Sequence, residues 1–165
     1  MDKLFWHIIP CGTTRARFSW GVEREGFFVP LVKTGTKELD NIHYWCYDGE
    51  LLNQPCQFTY IFGQEGLIRV RIEFVFSSQR HQVVALVFNS LCDICGTPGS
   101  SGMEPGQYYE QGLVSWEVED TSMVLAVSSQ KVVLNVFAKV DNQPQQLNEE
   151  LATLIDDMAL SLVKN

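Results

Sequence analysis

Leu67-Ile68-Arg69-Val70-Arg71-Ile72-Glu73-Phe74-Val75-Phe76 sets apolar side chains at every second place, with Arg69, Arg71 and Glu73 between them. Side chains alternate across a strand but recur every 3.6 residues in a helix, so this stretch reads as a strand with one buried and one wet face. Ile68, Val70 and Ile72 are expected in the core, which puts Arg69 and Arg71 on the opposite face. Upstream, Phe58, Tyr60 and Phe62 alternate with Gln57, Thr59 and Ile61, and Gly63-Gln64-Glu65-Gly66 supplies the glycines of a tight hairpin. Residues 42–47 are aromatic and β-branched, and Asp48-Gly49 with Asn53-Gln54-Pro55 offer turn chemistry before Cys56. A third strand joins the meander.

A similar trio follows. Val114, Trp116 and Val118 alternate with polar residues, and residues 123–127 and 132–140 are two more apolar strands. A helix is expected before each trio. The first, over 23–33, carries Phe27, Phe28, Leu31 and Val32 but is weakened by Gly26 and Pro30. The second, over 79–95, spaces Val83, Val84, Val87, Leu91, Ile94 and Cys95 by threes and fours and stops at Gly96. A closing helix over 143–163 has Pro144 in its first turn and a stripe from Leu147 to Val163, with Glu149, Glu150, Asp156 and Asp157 on its other face. The expected fold class is α+β. It is an antiparallel β-sheet of about six strands with helices packed on one face, in the order α-βββ-α-βββ-α. The chain, 1–165, reads as one domain with a possible internal duplication of 18–76 and 77–140 and a C-terminal helix.

The 165 residues carry 12 Lys and Arg against 20 Asp and Glu, a net charge of -8. Residues 1–90 hold nine of each sign, so the second half carries the excess. An acidic chain lacks the footprint that nucleic acid or anionic lipid requires, and no apolar run reaches the ~18 residues of a membrane span. Five cysteines, an odd number, exclude a complete disulfide framework. Reduced thiols in the cytoplasm fit the count, and a periplasmic or secreted location fits if a leader has been trimmed. The first residues do not resemble a signal peptide.

Cys92-Asp-Ile-Cys95 is the one recurrent chemical motif, but it falls at the expected C-terminus of a helix, the end that disfavours a thiolate. Buried apolar thiols, a structural disulfide and half of a metal site are the readings; a zinc site would need two ligands more from Cys46, Cys56, His43 and His81. The three histidines are scattered, no serine lies in a Gly-x-Ser-x-Gly context, and the acid pairs read as a solvated helix face. No catalytic residue, metal or cofactor is expected. The stretch 97–112 holds four glycines, two prolines and Tyr108-Tyr109, and is either a connector or a recognition loop. Arg69 and Arg71 either pair within the sheet or face a partner.

Phe18-Ser19-Trp20-Gly21, the Phe-Thr-Tyr-Ile-Phe strand with Gly-Gln-Glu-Gly-Leu, Cys95-Gly96-Thr97-Pro98 and Val-Ser-Trp-Glu together resemble a loose pattern in small bacterial secreted and envelope proteins. The layout is similar to the helix-plus-meander repeats of β-lactamase inhibitor proteins and of outer-membrane assembly lipoproteins. The likeness covers most of 18–140, and no functional residue carries over. The expected function is a non-enzymatic protein-binding domain (an inhibitor, immunity protein or assembly accessory) that meets a protein partner through Arg69, Arg71, Tyr108 and Tyr109. The alternatives are a small-ligand protein or enzyme with a pocket between sheet and helices, and a structural oligomer subunit.

Overall fold

Alternation around Val70 and Ile72 produces the strand at the centre of the molecule. The computed structural model describes residues 9–13, 20–76, 80–98, 100–101, 112–118, 120–128 and 130–138. Within them run β1 (Gly12–Thr13), β2 (Phe27–Phe28), β3 (Val32–Leu39), β4 (Ile42–Leu51), β5 (Gln54–Gly63), β6 (Gly66–Phe74), α1 (Arg80–Cys95), β7 (Ser100–Ser101), β8 (Gly112–Val118), β9 (Thr121–Val127) and β10 (Val132–Ala138). β1 and β2 make a small ribbon, and the rest form one antiparallel sheet in the order β3-β4-β5-β6-β10-β9-β8-β7, seven full strands and a two-residue eighth. The meander β3 to β6 and the meander β7 to β10 are contiguous halves that meet where β6 pairs with β10.

The expected order of three helices is not what forms. In place of a helix over 23–33 there is a 3₁₀ turn at Arg24–Gly26, then β2, then the start of β3. Pro30 lacks the N–H that a helix interior needs, Gly26 adds entropy cost, and the aromatic and β-branched neighbours favour extended chain. Phe27 is held by packing: its ring centroid lies 5.4 Å from that of Phe62 and 5.5 Å from that of Tyr60. The helix over 79–95 is present as α1 and ends where expected, Gly96 taking a φ of 88° and donating its N–H to the Cys92 carbonyl at 2.8 Å. Residues 143–163 lie outside the described residues.

Turns also shift. Asp48 and Gly49 lie inside β4, and the reversals are Asp40-Asn41 and Leu52-Asn53, all four with φ between 52° and 65°. Such mirror-image two-residue turns match the twist of paired strands, and Asn and Asp tolerate the left-handed region. The Gly63-to-Gly66 hairpin is as expected.

One face of the sheet carries the core. Phe58, Tyr60 and Phe62 of β5, Val70, Ile72 and Phe74 of β6, Leu134 and Val136 of β10, Met123 and Leu125 of β9, and Trp116 of β8 pack with Val83, Val84, Val87 and Leu91 of α1. Ile94 is exposed, unlike the other members of the expected stripe. Trp116 donates its indole N–H to the Gly96 carbonyl at 3.0 Å, and its ring lies 5.9 Å from that of Phe88. Ile68 departs from the expected core: a register shift between Ile61 and Phe62 pairs Leu67 with Phe62 and leaves Ile68 as the extra residue, 40% exposed, while Leu67 is buried.

On the other face the halves differ. β4 to β6 present Cys46, Thr59, Arg69, Arg71 and Glu73 there, whereas Ser122, Val124, Ala126, Val133, Asn135 and Phe137 of β9 and β10 are buried. The expectation of a uniformly wet face fails for these two strands, whose near-continuous apolar runs are those of strands covered on both sides.

Gly66 is the tightest joint. It has a φ of 92°, and a Cβ there would sit 2.3 Å from the Gly21 carbonyl oxygen, because Gly21 and Val22 exchange main-chain hydrogen bonds with Leu67 at 2.9 Å. Gly66→Ala is expected to lower unfolding free energy in urea by about 2–4 kcal/mol. Gly35→Ala, where an added Cβ meets nothing within 4 Å, should change it by less than about 0.5 kcal/mol.

Candidate functional site

Four places carry polar chemistry or unusual exposure. The first is the sheet centre around the sequence-predicted arginines. Alternation does set Arg69 and Arg71 opposite Val70 and Ile72. Arg71 Nη1 donates to Glu73 Oε2 at 3.1 Å, and Lys131 Nζ donates to Glu73 Oε1 at 3.1 Å. The side chains of Arg71, Glu73 and Lys131 are only 19%, 23% and 12% exposed. Arg71 is therefore committed to pairing within the sheet. Across the ladder from it, Asn135 is buried, and its Oδ1 has no hydrogen-bond partner among the described residues. Tyr108 and Tyr109 lie outside the described residues.

The second place is an open cleft of about 400 Å³ that the sequence did not announce. Glu23, Arg24 and Glu25 line it beside His43, Asn41 and the Gly63-to-Gly66 turn. Arg24 Nη1 donates to His43 Nδ1 at 3.0 Å, and His43 Nε2 lies 3.8 Å from Glu38 Oε1. With Nδ1 occupied as an acceptor, the ring proton sits on Nε2, facing the carboxylate. His43 then has no lone pair left for a proton from a substrate, and among the described residues no serine, threonine or cysteine lines the cleft. The arrangement fixes the β4 histidine against the 3₁₀ turn and assembles no acid–base pair.

The thiols are the third. All five cysteines are free. Burial pushes Cys11 and Cys56 up to about 12, with the Glu50 carboxylate adding to the effect at Cys56. Cys92 and Cys95 occupy the last turn of α1, and burial raises both, Cys95 to about 11. These are protonated, weakly nucleophilic thiols at neutral pH. Among the described residues no three His, Cys, Asp or Glu side chains are placed to hold a metal ion.

The fourth is β3. All eight of its residues are exposed, including Val32 at 74% and Leu39 at 53%, and it is the outermost strand of its end of the sheet. Lys33 Nζ stands 5.1 Å from the Trp45 ring centroid. Sequence reading missed β3 because a strand exposed on both faces has no hydrophobic alternation to read. The one available signal was the apolar pair Val32 and Leu39 bracketing Lys-Thr-Gly-Thr-Lys-Glu ahead of Asp40-Asn41.

Among the described residues no helix is long and apolar enough to cross a membrane. No protein-family model matches the chain, and searches of curated proteins and of solved structures find no similar protein.

Glu73→Gln leaves Arg71 and Lys131 without their shared anion and is expected to cost about 1 kcal/mol in denaturant unfolding. The thiols fix an alkaline limit. Well below pH 9 the folded and unfolded thiols are both protonated. Between 9 and about 12 those of the unfolded chain ionise while buried Cys11 and Cys56 stay protonated. The unfolded state then holds fewer protons, so stability falls as pH rises, by at most about 1.4 kcal/mol per pH unit for each thiol. Chemical denaturation at pH 8 to 11 should show that slope, and the variant Cys11→Ala/Cys56→Ala should reduce it, the remainder coming from Cys95, Tyr47 and Tyr60, which burial also raises.

Proposed function

We propose that the chain is a non-enzymatic protein-binding domain, an inhibitor, immunity protein or assembly accessory, that engages an extended segment of another polypeptide along the edge of β3. The observation that supports this reading most is the complete exposure of an eight-residue terminal strand, Val32 and Leu39 included. A row of outward N–H and C=O groups is a template for an added strand, main-chain hydrogen bonds giving affinity and alternate side chains specificity. The geometry favours this edge over the Arg69 and Arg71 face, where Arg71 is paired and mostly covered. Five free thiols support a reducing compartment.

Thr36 tests the reading. The ladder turns its main-chain groups away from β4, so Thr36→Pro removes an outward donor without breaking a β3–β4 hydrogen bond. Circular dichroism and melting temperature should stay near those of the parent, while a protein retained by the immobilised native chain is lost. Retention of the same protein by the folded proline variant would reject strand addition at β3, and loss only on Arg69→Glu/Arg71→Glu would return the interface to the sheet face.

A further inference from the structure

We propose that the segment taken up by this edge is β3 of a second copy of the chain, paired antiparallel about a two-fold axis at Thr36; the proposal rests on the strand-addition reading above. The backbone decides which residues can take part. Asp40-Asn41 is a two-residue turn, so Leu39 and Ile42 form its hydrogen-bonded closing pair, and alternation then points the main-chain groups of Lys37 toward β4 and those of Glu38 and Thr36 outward. The register shift between Lys33 and Gly35 inserts Thr34 as an extra residue. Lys33, opposite Tyr47, is therefore the next with outward groups. The outward set is Lys33, Thr36 and Glu38.

A two-fold axis perpendicular to a sheet pairs only residues on the same face. In a regular strand Lys33 and Glu38, an odd number of residues apart, would lie on opposite faces. The bulge brings them to one face: Lys33 pairs with Tyr47 and reaches over Trp45, and Glu38 pairs with His43 and contacts it. When Thr36 is set against Thr36 of the second copy, Lys33 falls opposite Glu38 at both ends. Lys37 then faces the bulge at Thr34-Gly35, where Gly35 leaves open space. One step outward, Val32 meets Leu39, both on the other face and both exposed to solvent in the single chain.

Neighbouring registers lose this match. An axis at Lys37 opposes two Lys37 side chains, one at Lys33 opposes two lysines, and one at Glu38 opposes two carboxylates, each unfavourable when directly opposite. Of these registers only the one at Thr36 sets Lys33 opposite Glu38 at both ends. That register turns Lys33, a lysine of the kind that ordinarily guards an edge strand, into a pairing group.

Sedimentation velocity from about 5 µM to 1 mM decides the matter. One added strand pair buries less than a standard interface, so a reversible dimer with a Kd of about 10–100 µM is expected. Lys33→Glu and Glu38→Lys should each weaken it by about tenfold. An equimolar mixture of these two variants should form a heterodimer, the double variant K33E/E38K should dimerise as the native chain does, and Thr36→Pro should remain monomeric. A native chain that is monomeric throughout the range overturns the proposal; strand addition itself then stands if Thr36→Pro still abolishes binding of another protein. A dimer indifferent to the charge variants and to Thr36→Pro also overturns it, because its interface lies elsewhere.

Discussion

Main-chain hydrogen bonding at the end of the sheet is the constraint from which the functional reading follows. Every strand added to a sheet satisfies the N–H and C=O groups of its neighbour and exposes a new row, so an open sheet always ends on unpaired backbone. At the β8 end, among the described residues, the two-residue β7 pairs with Ser115 and Val114. At the other end the last strand is eight residues long, exposed throughout, and flanked by Val32 and Leu39. Edge strands are ordinarily blunted by lysines, a proline or shortness. Here the charges fall instead where a second copy of the same strand can pair with them.

The rest of the architecture explains why this end can project. The continuous core lies over β5, β6, β10 and β9, where α1 supplies Val84, Val87 and Leu91, and the halves of the chain are joined by the β6–β10 ladder. That junction is strengthened on its polar side by Glu73, which draws Arg71 of its own strand and Lys131 at the start of β10 to one carboxylate. Phe27 and Trp45 extend the aromatic cluster toward β4, Trp45 lying 4.6 Å from Phe62. β3 meets this cluster through Lys33, whose Nζ stands over Trp45, and is held by its ladder to β4. Stability is thus concentrated at the centre, and the edge is free to exchange partners without loss of the core.

Much of the sheet was legible in the sequence because burial on one face imposes alternation. Phe58-Tyr60-Phe62 and Val70-Ile72-Phe74 could be read as paired strands, and Gly96 marked the end of α1. What misled was local: Asp48-Gly49 has turn composition but sits within β4, because Asp40-Asn41 and Leu52-Asn53 set the hairpin lengths on either side of it. Phe27, Phe28 and Val32 have the count of an amphipathic helix, yet Pro30 divides them between two strands. Arg71 was recognised as lying on the wet face, but its choice of Glu73 and the approach of Lys131 depend on the β6–β10 register, which no periodicity encodes. β3 and the contacts of His43 with Arg24 and Glu38 were invisible for a related reason. An exposed strand has no hydrophobic period, and the histidine's partners arrive from separate segments.

Amide hydrogen exchange of β3, resolved residue by residue at low and high protein concentration, bears most directly on the account. Lys37 and Leu39, whose amides face β4, should be protected at every concentration. Lys33, Thr36 and Glu38 should exchange at nearly open-chain rates in dilute solution and become protected together as the concentration rises. The account would be contradicted if these three amides remained unprotected at millimolar concentration, or if they were already protected in the dilute monomer.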